Sequence, residues 1–365
     1  MPTAVLMQES SVSDLTNELI TQVRDAVEAK ETLAISAGGS KAFMGRQIET
    51  DRTIDVSGHT GIVSYQPVEL VMTARAGTTL VEIESALAEN NQMLACEPPR
   101  FDGKATLGGT LAANLSGPGR PWYGSIRDHV LGVTLINGDA EQLRFGGQVM
   151  KNVAGYDLSR LQAGAMGGLG LMTEISLKVL PKPATTRTLK FSMDQAEAIE
   201  RMNAMSGQPK PITAAYWSNG ELFIRLAGAA SAVDATAKSW GGDELSPEVA
   251  SVLWSDLQDQ KPAIFNAEKV WRFSVKSSAD VLPIEGDSLI NWGGAERWYT
   301  GDHSFDRMVS LAESAGGQVS LYRGGNRTEE VLHPINSSIQ ALQQRIKASV
   351  DPQGIYNPGR AFGWL

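Results

Sequence analysis

One cysteine, Cys96, stands among 365 residues, so no disulfide can close within the chain. It cannot by itself ligate an iron–sulfur cluster or attach a c-type haem. Histidine is almost as scarce. His59, His129, His303 and His333 stand far apart, none at the short spacing of a zinc helix or an H-x-H pair. No apolar run reaches the roughly 18 residues that a membrane span needs. Positive charge is in deficit: 32 Lys and Arg against 41 Asp and Glu leave a formal net charge of -9. That disfavours a nucleic-acid groove, because neutralising phosphates needs concentrated basic charge, but it leaves small anions open. The opening stretch "MPTAVLMQESSVSDL" lacks a basic segment leading into an apolar one, so it does not read as a secretion signal. The expected location is cytoplasmic. Neither a G-x-G-x-x-G fingerprint nor a G-K-[ST] motif is present, which disfavours an ordinary NAD or ATP site.

Glycine, in contrast, is plentiful, with 37 residues, and it clusters where strands end. "LAIS" reads as a strand and runs into "AGGSKAFMG" (37–45). Such a turn is either an ordinary connection or a nest of backbone N–H groups suited to an anion. "ATLGGTLAANLSGPG" (105–119), "WYGSIRDHVLG" (122–132) and "GAMGGLGLMTE" (164–174) add three more glycine-dense junctions. Small side chains at a helix start would leave its amides open to an extended ligand and its dipole facing an anion. Four such junctions in one segment fit a long cofactor whose pyrophosphate lies across loop backbones.

Elsewhere the pattern predicts an amphipathic helix over 13–30 and strands at "TIDVS" and "LVMTARAG". It also predicts a capping box at "TLVE" (79–82) and a hairpin turning at Asn137-Gly138. "LGLMTEISLKVLPKP" closes this mixed α+β half. After residue 182 a β-α-β-β-α order suits a small antiparallel sheet with helices on one face. The order recurs loosely through "KVWRFSV" (269–275) and "QVSLYRG", before a last helix and "DPQGIYNPGR". The expected division is 1–182, 183–330 and a returning segment 331–365.

Taken in order, "SAGGSKAFMG", "TLGGTLAANLSG", "WYGSIRDHVLG", "VMKNVAGYDLSRLQAGAMGGLGLMTEISLKVLPKP" and "DPQGIYNPGR" resemble the flavin-binding domain of the vanillyl-alcohol oxidase and p-cresol methylhydroxylase (PCMH) superfamily. The resemblance is close over 31–183 and 350–360. Within it, "KNVAGYDLSRL" and "VWRFSV" resemble the FAD-binding E-subunit family of bacterial glycolate oxidases. The resemblance implies an α+β fold: a two-subdomain PCMH-type FAD-binding domain plus a smaller ferredoxin-like cap. It implies FAD contacts from Ala37, Gly38, Gly39, Ser40, Lys41 and Pro99, and from Thr106, Leu107, Gly108, Gly109, Ala112, Asn114, Ser116 and Gly117. Further contacts are implied from Tyr123, Gly124, Arg127, Asp128 and Val130, and from Gly167, Gly170, Met172, Asn357 and Arg360. Ser40 stands where some relatives carry a histidine linked to flavin, so FAD is expected to be non-covalent. Ala165-Met166-Gly167 replaces a Ser-Glu-Gly found in many relatives and removes a carboxylate. The metal or base histidines of related hydroxy-acid dehydrogenases have no counterpart in 183–330, and no metal site is expected.

Single residues have bland readings as well. Cys96 reads as a small buried residue. Arg127 and Asp128 read equally as an ion pair or as ligand contacts, and His129 reads as a packed loop residue rather than a base. Asp157 reads as a helix cap, beside the conspicuous Lys151, Asn152 and Tyr156. Arg272, next to Trp271, is the candidate catalytic residue, because a guanidinium suits a carboxylate bidentately; a solvated strand or salt-bridge arginine is the alternative. Trp292, Trp298 and Tyr299 read better as core than as a pocket wall. Six tryptophans (Trp217, Trp240, Trp254, Trp271, Trp292 and Trp298) are expected mainly to fill the second unit, with a minority free to meet a partner.

The function implied is glycolate oxidation to glyoxylate in a complex. A homologous flavin subunit would carry the base machinery, and an iron–sulfur subunit would take the electrons, with peripheral attachment at the inner membrane made through these partners. The rivals are a stand-alone flavin enzyme for another hydroxy acid or sugar alcohol, and a non-catalytic assembly subunit.

Overall fold

The structure, a computed structural model, describes residues 13–147 and 157–365. Lys151, Asn152 and Tyr156 fall outside them. The first helix, Thr16–Ala29, buries Leu19, Val23 and Ala26 on one face, as its periodicity predicts. It packs on a parallel pair, Leu33–Ser36 with Arg52–Asp55. Parallel strands need a crossover, and here residues 37–51, which hold the first glycine pair, supply it without a helix or strand.

The second layer is a five-stranded antiparallel sheet in the order Ile62–Gln66, Val71–Arg75, Leu171–Lys178, Val130–Ile136, Gln142–Gly146. The helices Leu80–Ala88 and Leu107–Ala113 close its core through Leu80, Ile83, Leu87, Leu107 and Leu111. The predicted capping box holds: the Glu82 amide donates to Thr79 Oγ1 at 3.2 Å, and the Thr79 amide donates to Glu82 Oε2 at 2.9 Å. The 130–146 hairpin is present, but its connection is longer than a two-residue turn. Asn137 Oδ1 accepts from the Asp139 and Glu141 amides, and the positive φ falls at Ala140 rather than Gly138. Gly138 answers to a different constraint, since a Cβ there would meet Asp351 Oδ1 at 2.5 Å.

Beyond residue 182 one continuous antiparallel sheet has eight strands. Trp217 opposite Ile290 joins its two halves, so the two loosely repeated sequence patterns form a single layer. Helices Gln195–Ser206, Ala230–Trp240 and Phe305–Ser314 cover one face. Helix Pro247–Gln258 departs from the one-face expectation and packs with Tyr216, Phe223 and Trp298 on the other. Its Trp254 satisfies its indole N–H there, on Thr188 Oγ1 at 2.9 Å. None of the six tryptophans is exposed. Five are buried, and Trp240 packs half-buried on the core beneath helices Gln195–Ser206 and Ala230–Trp240, so of the six Trp240 alone keeps surface that a partner could meet.

The chain then returns. After helix Ser337–Val350, the Asn357 amide donates to Leu33 O and Leu33 donates to Ile355 O. Buried Lys347 fixes this return, donating to Asp351 Oδ2, Gly168 O and Tyr356 O at 2.7–2.8 Å. Among the described residues no helix is long and apolar enough to cross a membrane.

Candidate cofactor site

A cavity of about 420 Å³ opens where the parallel pair, the five-stranded sheet and the returning segment meet. Its walls come from residues 34–42, from Thr106, Gly108, Gly109, Ala112 and Ala113, from the 166–172 loop, and from Asn357 and Arg360. The volume is in the range of small-molecule sites.

The glycine pair shapes one wall, each member for its own reason. Gly38 is packed against the chain, where a Cβ would sit 1.8 Å from Lys104 O. Gly39 has φ 65° with open space around it, so it supplies the left-handed turn that a side chain disfavours. The following carbonyls are engaged. Ala42 donates to Gly39 O and Met44 to Lys41 O. Arg360 donates to Ala42 O and Arg46 O at 2.8 Å, and Arg327 donates to Phe43 O. The amides of residues 38–41 donate to nothing among the described residues. Carbonyls tied back and amides left free make an anion nest.

Charge agrees with geometry. Lys41, Arg327 and Arg360 have no carboxylate partner among the described residues, although the chain is acidic overall. Among the described residues the Lys41 ammonium meets Ser40 Oγ (3.1 Å) and the face of Phe101, and burial lowers its pKa to about 8. Burial, with Arg360 nearby, lowers Arg327 to about 10. Unpaired cations that resist desolvation in this way are placed for an anionic ligand.

The second glycine pair corrects the sequence expectation. The Leu107 amide donates to Thr78 O and that of Gly108 to Ala76 O, while Gly109 donates to Thr106 Oγ1. This helix start is capped by the protein and offers no free amides to a phosphate. Gly108 is glycine because a Cβ would lie 2.8 Å from Ala76 Cβ, and the helix supplies a small-residue wall instead. Met166 (φ 49°) spends its amide on Ala112 O and its carbonyl on Asn357 Nδ2. Asn357 Oδ1 in turn accepts from Ile35 at 2.9 Å, pinning three walls of the cavity together.

A family model described as an FAD binding domain matches residues 14–146. Glycolate oxidase subunit GlcE of Escherichia coli (strain K12) is 42% identical over 353 residues, covering 96% of this chain and 99% of the relative. This chain belongs to the GlcE family. Glycolate oxidase subunit GlcD of Bacillus subtilis (strain 168) is 33% identical over 137 residues, 38% of this chain and 29% of that relative. Among solved structures, p-cresol methylhydroxylase with substrate bound superposes with a TM-score of 0.72 over 96% of this chain and 87% of that one. At 15% identity that likeness shows the shared PCMH-type fold.

Of the predicted contacts, Ala37, Gly38, Gly39, Ser40, Lys41, Thr106, Gly108, Gly109, Ala112, Gly167, Gly170, Met172, Asn357 and Arg360 line the cavity. The others lie outside its lining. Leu107 and Val130 are buried in the sheet core, and Pro99 is buried. Asn114 ends the helix at φ 50°. Ser116 Oγ accepts from Ile126, and Gly117 is pressed against Glu97 O. Tyr123 and Gly124 follow in the same stretch, Tyr123 beside Arg225 and Glu97 and Gly124 against Asp128. Arg127 and Asp128 do not pair: Arg127 is exposed, and Asp128 Oδ2 accepts from the amide and hydroxyl of Ser125. His129 is buried with Nε2 on Tyr123 O at 2.8 Å, and burial lowers its pKa, as suits a packed ring. Cys96 is buried, its thiol pushed up to about 12. Asp157 caps its short helix. Arg272 lies in the eight-stranded sheet, its Nε on Glu296 Oε1 at 2.8 Å; Trp298 and Tyr299 are core. Among the described residues no three His, Cys, Asp or Glu side chains gather as a metal-ligand group. Sequence reading missed Ile35, Met44 and Met166 as lining residues, and it missed Arg327, whose role comes from a contact between positions far apart in sequence.

Proposed function

We propose that this chain is the FAD-binding subunit of a multisubunit glycolate-oxidising complex, with FAD held non-covalently in the cavity above. The observation that carries the reading is the run of four free amides at residues 38–41, beside cations that lack carboxylate partners. These groups fit a diphosphate: Gly38, Gly39, Ser40 and Lys41 would hold it, Arg360 and Arg327 would fix the loop, and the small residues of 109–113 would leave room for the rest. Bound FAD supplies hydride and electron acceptance, for which the protein contributes position and electrostatics.

Among the described residues the site's side chains bind and orient, and its two nearest acid–base candidates are already engaged. His129 is spent on a backbone carbonyl, and Glu296 is engaged by Arg272 and Asn291. Removal of the glycolate hydroxyl proton therefore falls to a homologous flavin subunit. An iron–sulfur subunit carries the electrons onward, with attachment to the inner membrane made through these partners. In this division residues 1–182 and 331–365 form the FAD-binding domain, and 183–330 the cap and docking domain.

The test is flavin binding to the full chain and to Gly39→Asp. Position 39 has open space, so the variant should fold while setting a carboxylate against the nest. It is expected to retain wild-type circular dichroism and lose flavin, and acid precipitation of the wild type should release all yellow colour. Full flavin occupancy in folded Gly39→Asp would refute the assignment.

A further inference from the structure

The seam between the first unit and the eight-stranded sheet brings two arginines together. Arg120 comes from "GPGRPWYG" on the first unit and Arg272 from the strand Val270–Ser274. Trp292 lies against both, with its ring centre 4.4 Å from the Arg120 guanidinium carbon and 5.2 Å from that of Arg272. The indole is held in place: its Nε1 donates across the seam to Gly117 O at 2.9 Å, and its amide donates to Asn291 Oδ1. Its backbone is left-handed at φ 53°, followed by Gly293 at 65° and Gly294 at 104°. That conformation is sterically unfavourable for a bulky residue. Such strain persists only where surrounding contacts enforce it, and it gathers at functional sites.

The two arginines are not equally paired. Glu296, 3% exposed, gives Oε1 to Arg272 Nε and Oε2 to Asn291 Nδ2. Asp128, the other acid whose charge reaches Arg120, is committed to Ser125. Arg120 is half-buried and has no hydrogen bond from its side chain and no ion pair among the described residues. Of the two guanidiniums, Arg272 alone thus has a carboxylate partner among the described residues, and its side chain is 22% exposed.

We propose that Arg120 and Arg272, braced by Trp292, bind the carboxylate of one small monocarboxylic acid at this seam, and that Arg120 sets the affinity. The guanidinium fork matches a carboxylate bidentately, and Arg120 has no such partner among the described residues. With Glu296 and His129 both committed, it is a site for binding rather than for proton removal. The identity of the acid as a 2-hydroxy acid rests on the function proposed above.

The experiment is calorimetric titration of the FAD-loaded full chain with sodium glycolate, with glycolamide as the neutral isostere and inorganic phosphate as a competing anion. Flavin per chain is measured on the same samples. Arg120→Gln is chosen because Arg272→Gln would strand buried Glu296. Glycolate affinity should fall about tenfold or more in Arg120→Gln and comparably in Arg120→Lys, which keeps charge but loses the fork. Flavin content should stay at the wild-type level, and glycolamide should not bind. Wild-type glycolate affinity in flavin-loaded Arg120→Gln overturns the proposal and leaves the cofactor assignment standing, as does glycolamide or phosphate binding as tightly as glycolate. Loss of flavin from Gly39→Asp with glycolate binding retained supports both assignments as separate sites.

Discussion

At the scale of single residues, the adjacent glycines show what a sequence can and cannot say. The pair marked the loop correctly, but its members differ: Gly39 supplies a backbone conformation and Gly38 a close approach to Lys104 O. Only the second depends on a distant part of the chain, and no local pattern encodes it. Lys41 was legible as a loop residue, while its lack of a carboxylate partner was not. Because burial holds its pKa near 8 instead of the ordinary 10.5, the unfolded chain binds that proton more tightly than the FAD-free folded chain between those values. The FAD-free protein should therefore gain stability as pH rises through that window. FAD binding should respond in the opposite sense, since a diphosphate favours charged Lys41. Affinity measured by flavin fluorescence should be level below pH 8 and fall by up to about tenfold per unit above it. Lys41→Met should bind more weakly at pH 7 and lose this dependence. An unchanged pH profile in Lys41→Met would remove Lys41 from the site.

Secondary elements were the most legible level, because periodicity and caps are local. Helix Gln195–Ser206 starts at the Asp194/Glu197 capping box, and the hairpin Ile212–Gly228 turns at Asn219-Gly220. The misreadings arose where a tertiary contact overrode the local rule. The 137–141 connection is shaped by Asn137 and by Asp351, and the start of helix Leu107–Ala113 is closed by the carbonyls of Ala76 and Thr78, just past the strand Val71–Arg75. The returning segment depends on such a contact too. Lys347 and Asp351 are buried at 8% and 1% exposure, and Asp351 also accepts from Ile355 and Tyr356. Lys347→Met would leave that carboxylate without its cation, a loss of about 3–5 kcal/mol for a buried pair. Urea unfolding should register this, and flavin should bind more weakly because Asn357 and Arg360 sit on the same segment. A stability loss under about 1 kcal/mol would show the pair is merely a surface-like contact.

For the whole molecule, the two units are joined by specific polar contacts rather than by a linker. Arg225 pairs with Glu97 at 2.6 Å and Arg100 with Asp259 at 2.8 Å. Gln258 donates to Pro98 O and Trp292 to Gly117 O. Each contact spans the seam, so the eight-stranded sheet is held in one position over the FAD-binding half. What that arrangement presents is a cofactor cavity, a pair of arginines, and a histidine and a glutamate (His129 and Glu296) that are already hydrogen-bonded. If proton removal falls to a partner subunit, as proposed, the isolated FAD-loaded chain should be a poor catalyst. With full flavin occupancy and an artificial electron acceptor, glycolate turnover should fall far below the roughly ten per second of an ordinary enzyme. Dithionite should still reduce the flavin, separating redox competence from turnover. Co-purification with the partner subunits should restore activity, and the same chain in that complex should keep its flavin. Turnover near ten per second by the lone chain would show that it holds a base of its own, and would replace the division of labour with a self-sufficient dehydrogenase.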